Sequence, residues 1–123
     1  MQLTRALSEL SALFSILSHP LRLRIVEELG STERSVGDLA EATHVAQAIA
    51  SQQPSLLRAQ RILSQRRAGR HVFYKLNHPE LAGWVAQGFD FLTLDANEVT
   101  DMSRSVRQAK RRWGKPGKTR RLS

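Results

Sequence analysis

Residues 62–76 read ILSQRRAGRHVFYKL, and this stretch decides the fold. Val72, Phe73 and Tyr74 favour a pleated strand, Gly69 supplies a turn, and a second short run precedes it, so the segment is expected to be a two-stranded hairpin. Its turn, Arg66-Arg67-Ala68-Gly69-Arg70, is crowded with cations. A basic ribbon of this kind suits phosphate.

Upstream the periodicity is helical. Leu3, Leu7, Leu10, Phe14 and Leu17 recur at spacings of four and three, the stripe of an amphipathic helix. Pro20 can open a second helix, since its missing N–H would be unpaired there anyway, and Gly30 ends it. In that helix Leu21, Ile25, Val26 and Leu29 form the inward face, leaving Arg22, Arg24, Glu27 and Glu28 to solvent or to neighbours. Ser35 and Asp38 have capping-box spacing ahead of Leu39, Ala40 and Ala42, which marks a third helix. Thr43, His44 and Val45 make a turn, and a fourth helix runs from about Ala46 to Gln60 with Ile49, Leu56 and Leu57 inward. Its other face carries Gln47, Ala48, Ser51, Gln52 and Ser55. Glutamine pairs with adenine and serine with base or phosphate, so this face suits the major groove. Helices followed by a charged hairpin predict a mainly α fold with a small β-hairpin, a winged helix-turn-helix.

Beyond the hairpin, Asn77, His78 and Pro79 start another helix, with His78 as its cap and Leu81, Trp84, Val85, Gly88, Phe89 and Leu92 as a wide apolar stripe. A subunit of this size has little left to cover that stripe and the one on the first helix. Leu3, Leu7, Leu10, Trp84, Val85, Phe89 and Leu92 are therefore expected to meet a second copy. Asp95 and Glu98, followed by Val99, Met102 and Val106, continue the pattern as a possible sixth helix toward Arg112, and Gly114, Pro116 and Gly117 break it. The expected organisation is one domain over 1–112 and a basic flexible tail over 113–123.

Charge is unevenly spread. Of the net +8, residues 1–103 hold ten Lys/Arg against eleven Asp/Glu, whereas Arg104 onward holds nine Lys/Arg and no acid. The body is nearly neutral and the end is a cationic arm. Lys110, Arg111, Arg112, Lys115, Lys118, Arg120 and Arg121 are expected to touch DNA without choosing sequence.

The absence of Cys excludes disulfides and thiolate metal sites. No apolar run approaches the roughly 18 residues of a membrane span, and no secretory pattern opens the chain, so the cytoplasm is expected. The four histidines, His19, His44, His71 and His78, form no i, i+3 or i+4 pair, and no Ser-His-Asp set, phosphate loop or carboxylate pair stands out. Neither a metal, nor a cofactor, nor catalysis is expected.

The run from Leu13 to Leu81 resembles the ArsR-type family of small winged-helix repressors. The resemblance is carried by LFSILSHPLRLRIVEEL, SVGDLAEAT, the helix holding Ser51 and Gln52, and LRAQRILSQRRAGRHVFYKLNHPEL, in the family's order. It implies a homodimer that binds double-stranded DNA at an operator, represses transcription and releases DNA when an inducer binds. The Cys pair that metal-sensing members place at the start of the third helix is replaced by Ser35, Val36, Gly37 and Asp38. A second family site retains only His78 and Glu80, its later positions falling near Phe91 and Leu94. No inducer is named by these residues. Two departures bear on the grip. Pro54 stands inside the recognition helix, where a kink near Gln53 or a late start is expected, and Arg61 replaces a glycine before the hairpin. Gln47, Ala48, Ser51, Gln52 and Ser55 are expected to read the groove, and Arg66, Arg67, Arg70 and His71 to hold the backbone. The competing readings are a protein-interaction module on the same fold and a non-specific DNA-coating protein driven by the tail.

Overall fold

The computed structural model describes residues 2–92, together with Gln108 and Arg111. The expected sixth helix and the 113–123 tail lie outside the described residues, Gln108 and Arg111 apart. The elements are α1 (Gln2–Leu17), α2 (Pro20–Leu29), β1 (Arg34–Ser35), α3 (Val36–Thr43), α4 (Gln47–Ala59), β2 (Leu63–Ala68), β3 (His71–Leu76), α5 (Glu80–Gln87) and a 3-10 turn, Gly88–Phe91. It is a winged helix-turn-helix: helices around one core, with a three-stranded antiparallel sheet in the order β1-β3-β2.

Local chemistry fixes most boundaries. Pro20 opens α2, and the His19 Nδ1 accepts the Leu21 N–H at 3.1 Å as its cap. Ser35 Oγ accepts the Asp38 N–H at 3.0 Å and the Asp38 carboxylate accepts the Ser35 N–H at 3.5 Å, a closed capping box at the start of α3. His44 ends α3 at φ 58°. The core forms where α2 meets α3, α4, α5 and the sheet. Ile25, Leu29, Leu39, Leu57, Leu63 and Val26 are fully buried there, each contributing about 2 kcal/mol.

Several inward assignments shift. In α4 the buried positions are Ala50, Pro54 and Leu57, whereas Ile49 and Leu56 stand on the surface. Small Ala50 and the ring of Pro54 define the inner face, and that turns the two larger side chains outward. Pro54 lies inside α4, which runs unbroken from Gln47 to Ala59, so the helix neither starts late nor stops at it. In α5 there is no such reversal: Trp84 and Leu92 of the stripe expected to meet a second copy face out, Leu81, Val85 and Phe89 are half-buried, and the inner face belongs to Ala82 and Ala86, small enough for α5 to pack close on α2. His78 gives no side-chain cap to α5; its ring lies 3.7 Å from the Glu80 carboxylate. Glu28 is buried, its charge met by Arg24 at 3.0 Å and Arg34 at 3.6 Å. No sequence pattern signals the strand β1. It exists because β3 offers it an edge, Arg34 opposing Tyr74 and Ser35 opposing Phe73.

Arg61 takes the left-handed conformation, φ 61°, just after α4. The Ile62 N–H reaches the Leu57 carbonyl at 3.0 Å and the Arg61 N–H reaches the Arg58 carbonyl at 2.9 Å, the two bonds of a Schellman exit. Glycine normally takes this position, because a side chain there costs roughly 1 kcal/mol or more. Arg61→Gly is expected to stabilise the fold by about 1 kcal/mol, read as a later urea midpoint at unchanged slope. An unchanged midpoint would show that Arg61 carries no strain.

Candidate nucleic-acid interface

Two elements form the candidate surface. On α4 the sequence-predicted residues Gln47, Ala48, Ser51, Gln52 and Ser55 are all exposed, opposite the buried line of Ala50, Pro54 and Leu57. The period of α4 thus turns its uncharged face away from the core. Ser55 Oγ donates to the Ser51 carbonyl at 3.1 Å, so part of that hydroxyl's capacity is used within the helix. The orientation of α4 is tied down from behind: the Arg22 guanidinium donates to Gln53 Oε1 at 2.9 Å and to the Ile16 carbonyl at 3.0 Å, linking α1, α2 and α4. Nothing in the sequence pattern singles out Arg22 for this role.

The ribbon is the second element. Its strands pair from Leu63 opposite Leu76 to Ala68 opposite His71, so the turn is only Gly69-Arg70; Arg66 and Arg67, expected in the turn, belong to β2. Gly69 takes φ 63°, as a type II′ hairpin requires at its first central position. The pleat then sends Arg66 and Arg67 to opposite faces, Arg66 beside its cross-strand neighbour Phe73 and Arg67 beside Val72.

Those two arginines differ in their surroundings. Arg66 donates twice to Glu33, Nε to Oε2 and Nη2 to Oε1, both at 2.8 Å, and its guanidinium lies 4.6 Å from the centre of the Phe73 ring. Among the described residues Arg67 and Arg70 have no acidic partner within ion-pair distance. His71 stands exposed at the end of β3, edge-on to Phe73 at 6.2 Å. Of the predicted wing cations, Arg67 and Arg70 therefore present unmatched charge, while that of Arg66 is already met. Glu33, the residue responsible, lies 33 positions from Arg66 and has no sequence signature.

The bond from Arg66 holds the Glu33 carboxyl below the usual carboxylate range, and the nearby charges of Arg66 and Lys75 act in the same direction. A carboxylate lowered in this way contributes to the fold above its ordinary pKa, and that contribution is lost as pH falls through the lowered value. In a carbon-detected NMR titration Glu33 is expected to titrate below the ordinary glutamate range in the native protein and within it in Arg66→Ala. Coincident titrations would show that the pair does not form in solution.

The metal positions suggested by the resemblance do not suit a metal. Ser35 and Asp38 are engaged in each other's backbone bonds, and among the described residues Glu80 is the one acidic side chain paired with His78. No group of three or more His, Cys, Asp or Glu side chains comes together among the described residues. Of the predicted tail contacts, Arg111 is exposed, and the remaining six lie outside the described residues. Among the described residues no helix is long and apolar enough to cross a membrane.

The comparisons with known proteins agree with this geometry. Residues 19–65 match the sequence profile of the family described as bacterial regulatory protein, arsR family. A transcriptional repressor SmtB homolog of Synechocystis is 42% identical over 72 residues, covering 57% of this chain and 54% of that protein. The biofilm growth-associated repressor of Xylella fastidiosa is 37% identical over 78 residues, covering 63% of this chain and 68% of that protein. Among solved structures, the transcriptional repressor BigR from Xylella fastidiosa superposes with a TM-score of 0.66 at 31% identity, over 76% of this chain and 96% of that one. The matched region spans about half the length of the SmtB relatives.

Proposed function

This chain belongs to the arsR family of bacterial regulatory proteins, and from that premise we propose that it is a sequence-specific DNA-binding repressor of transcription, acting as a homodimer on a palindromic operator. The observation that carries this reading is the pairing of surfaces on one subunit. An uncharged, hydrogen-bonding face of α4 stands clear of the core, and a ribbon with two unmatched arginines protrudes from the same domain. Gln47, Ala48, Ser51, Gln52 and Ser55 read base edges in the major groove; Arg67 and Arg70, with His71, hold the flanking backbone. Arg66 joins them only where phosphate displaces Glu33. The names of the SmtB and biofilm growth-associated relatives, both repressors, support the direction of regulation. The protein works in the cytoplasm and has no catalytic activity. Its basic end, from Lys110 to Arg121, adds contacts to phosphate that strengthen binding to any duplex.

Footprinting the full chain on the DNA upstream of its own gene tests the proposal, with competition by random duplex alongside. A regulator protects a palindromic segment and prefers it by about a thousandfold or more. Protection without preference would make this a DNA-coating protein, and no protection would make it an interaction module.

A further inference from the structure

Ile49 lies in the first turns of α4 and is 40% exposed, on a helix whose apolar side chains have a core available to them. It occupies the same side of the helix as Gln52, three positions on, and Leu56, seven on, so Ile49 is a surface neighbour of Gln52 at the edge of the proposed reading face. An isoleucine has neither donor nor acceptor. Against the floor of a major groove, the base-edge group it complements is the C5-methyl of thymine, because every other edge presents a polar atom that it would strip of water. Gln52 beside it carries the amide that pairs with the adenine edge.

We propose that Ile49 is a specificity-determining residue of DNA recognition, selecting a thymine methyl next to an adenine read by Gln52. This rests on the reading of the chain as a DNA-binding repressor, and it narrows the operator: each half-site carries A·T pairs where the start of α4 enters the groove. The N-terminal part of a recognition helix is the part that meets base edges, which places Ile49 there and leaves Leu56 farther along the helix toward the backbone.

The test alters the DNA before the protein. An operator is selected from a random duplex pool with the full chain, and each thymine is then replaced singly by deoxyuridine, which removes the methyl and keeps the base pair. One position per half-site is expected to lose about fourfold in affinity, the worth of one buried methyl, and about fifteenfold when both half-sites are changed. Ile49→Ala is expected to abolish sensitivity at that position alone, and Ile49→Val to keep it. Indifference to every deoxyuridine would overturn the assignment, as would an Ile49→Ala protein that still distinguishes the two bases. Failure to enrich any operator would instead remove the repressor reading beneath it.

Discussion

Leu7→Glu should turn a dimer into a monomer and lower operator affinity by about a thousandfold. Leu3, Leu7, Leu10 and Phe14 form the outward stripe of α1, and Leu7 is 55% exposed within one subunit. Phe14 stacks on Trp84 of α5 with ring centres 5.6 Å apart and planes 1° from parallel, which joins the outward faces of the two helices, and Phe91 and Leu92 beyond α5 are exposed as well. An open face of this extent on a small domain calls for a partner, and a second copy is expected to supply an identical, self-complementary stripe. A carboxylate buried among those apolar side chains would be costly. The large effect on DNA follows from linkage, since Leu7 itself is not on the reading face. Two joined recognition helices bind the second half-site at an effective concentration that single subunits never reach, typically worth a factor of about 100 to 10,000. Sedimentation equilibrium and gel shift on the same sample check both halves of the claim. Because the buried core is contained within one subunit, the helical circular dichroism signal should persist. A Leu7→Glu protein that remains dimeric, or binds its operator undiminished, would place the subunit contact elsewhere.

How far the sequence is legible divides along the range of the interactions. The helix-turn-helix frame rests on signals a few residues long: Pro20 and Gly30 at the ends of α2, the Ser35 and Asp38 box, the β-favouring run at Val72 to Tyr74. These hold whatever the rest of the chain does, and each element lies where they put it. Phase within a helix is less secure, because large apolar residues are weighted most in a periodicity and small ones least. In α4 the true inner line is set by Ala50 and Pro54, so Ile49 and Leu56, expected inward, end on the outside. What the local pattern does not contain at all is tertiary pairing. Arg22 meets Gln53 across 31 positions and Arg66 meets Glu33 across 33, and β1 is a strand only through its neighbour β3. The candidate site is legible as a helix face plus a basic ribbon, yet which cations of the ribbon are unmatched depends on Glu33.

That dependence makes the ribbon testable charge by charge. Arg67→Ala with Arg70→Ala removes four guanidinium groups from a dimer, and each phosphate no longer neutralised flattens the log-log salt dependence of binding by about 0.9, so the slope should fall by about 3.6. Referred to 1 M salt, where such charges are screened, this amounts to roughly a thousandfold weaker binding at about 0.15 M, for operator and random duplex alike. Arg66→Ala should have a much smaller effect on the slope, because its guanidinium is bound to the Glu33 carboxylate by two 2.8 Å bonds and the pair carries no net charge. Glu33→Gln should act in the opposite sense. It leaves Arg66 on the Phe73 ring with an unmatched charge, able to neutralise up to two further phosphates per dimer and to steepen the slope by about 1.8. Fluorescence anisotropy across a salt series separates these cases. Equal losses for Arg66→Ala and for the double variant, or a Glu33→Gln protein with an unaltered slope, would mean that Glu33 does not govern which ribbon charges reach the DNA.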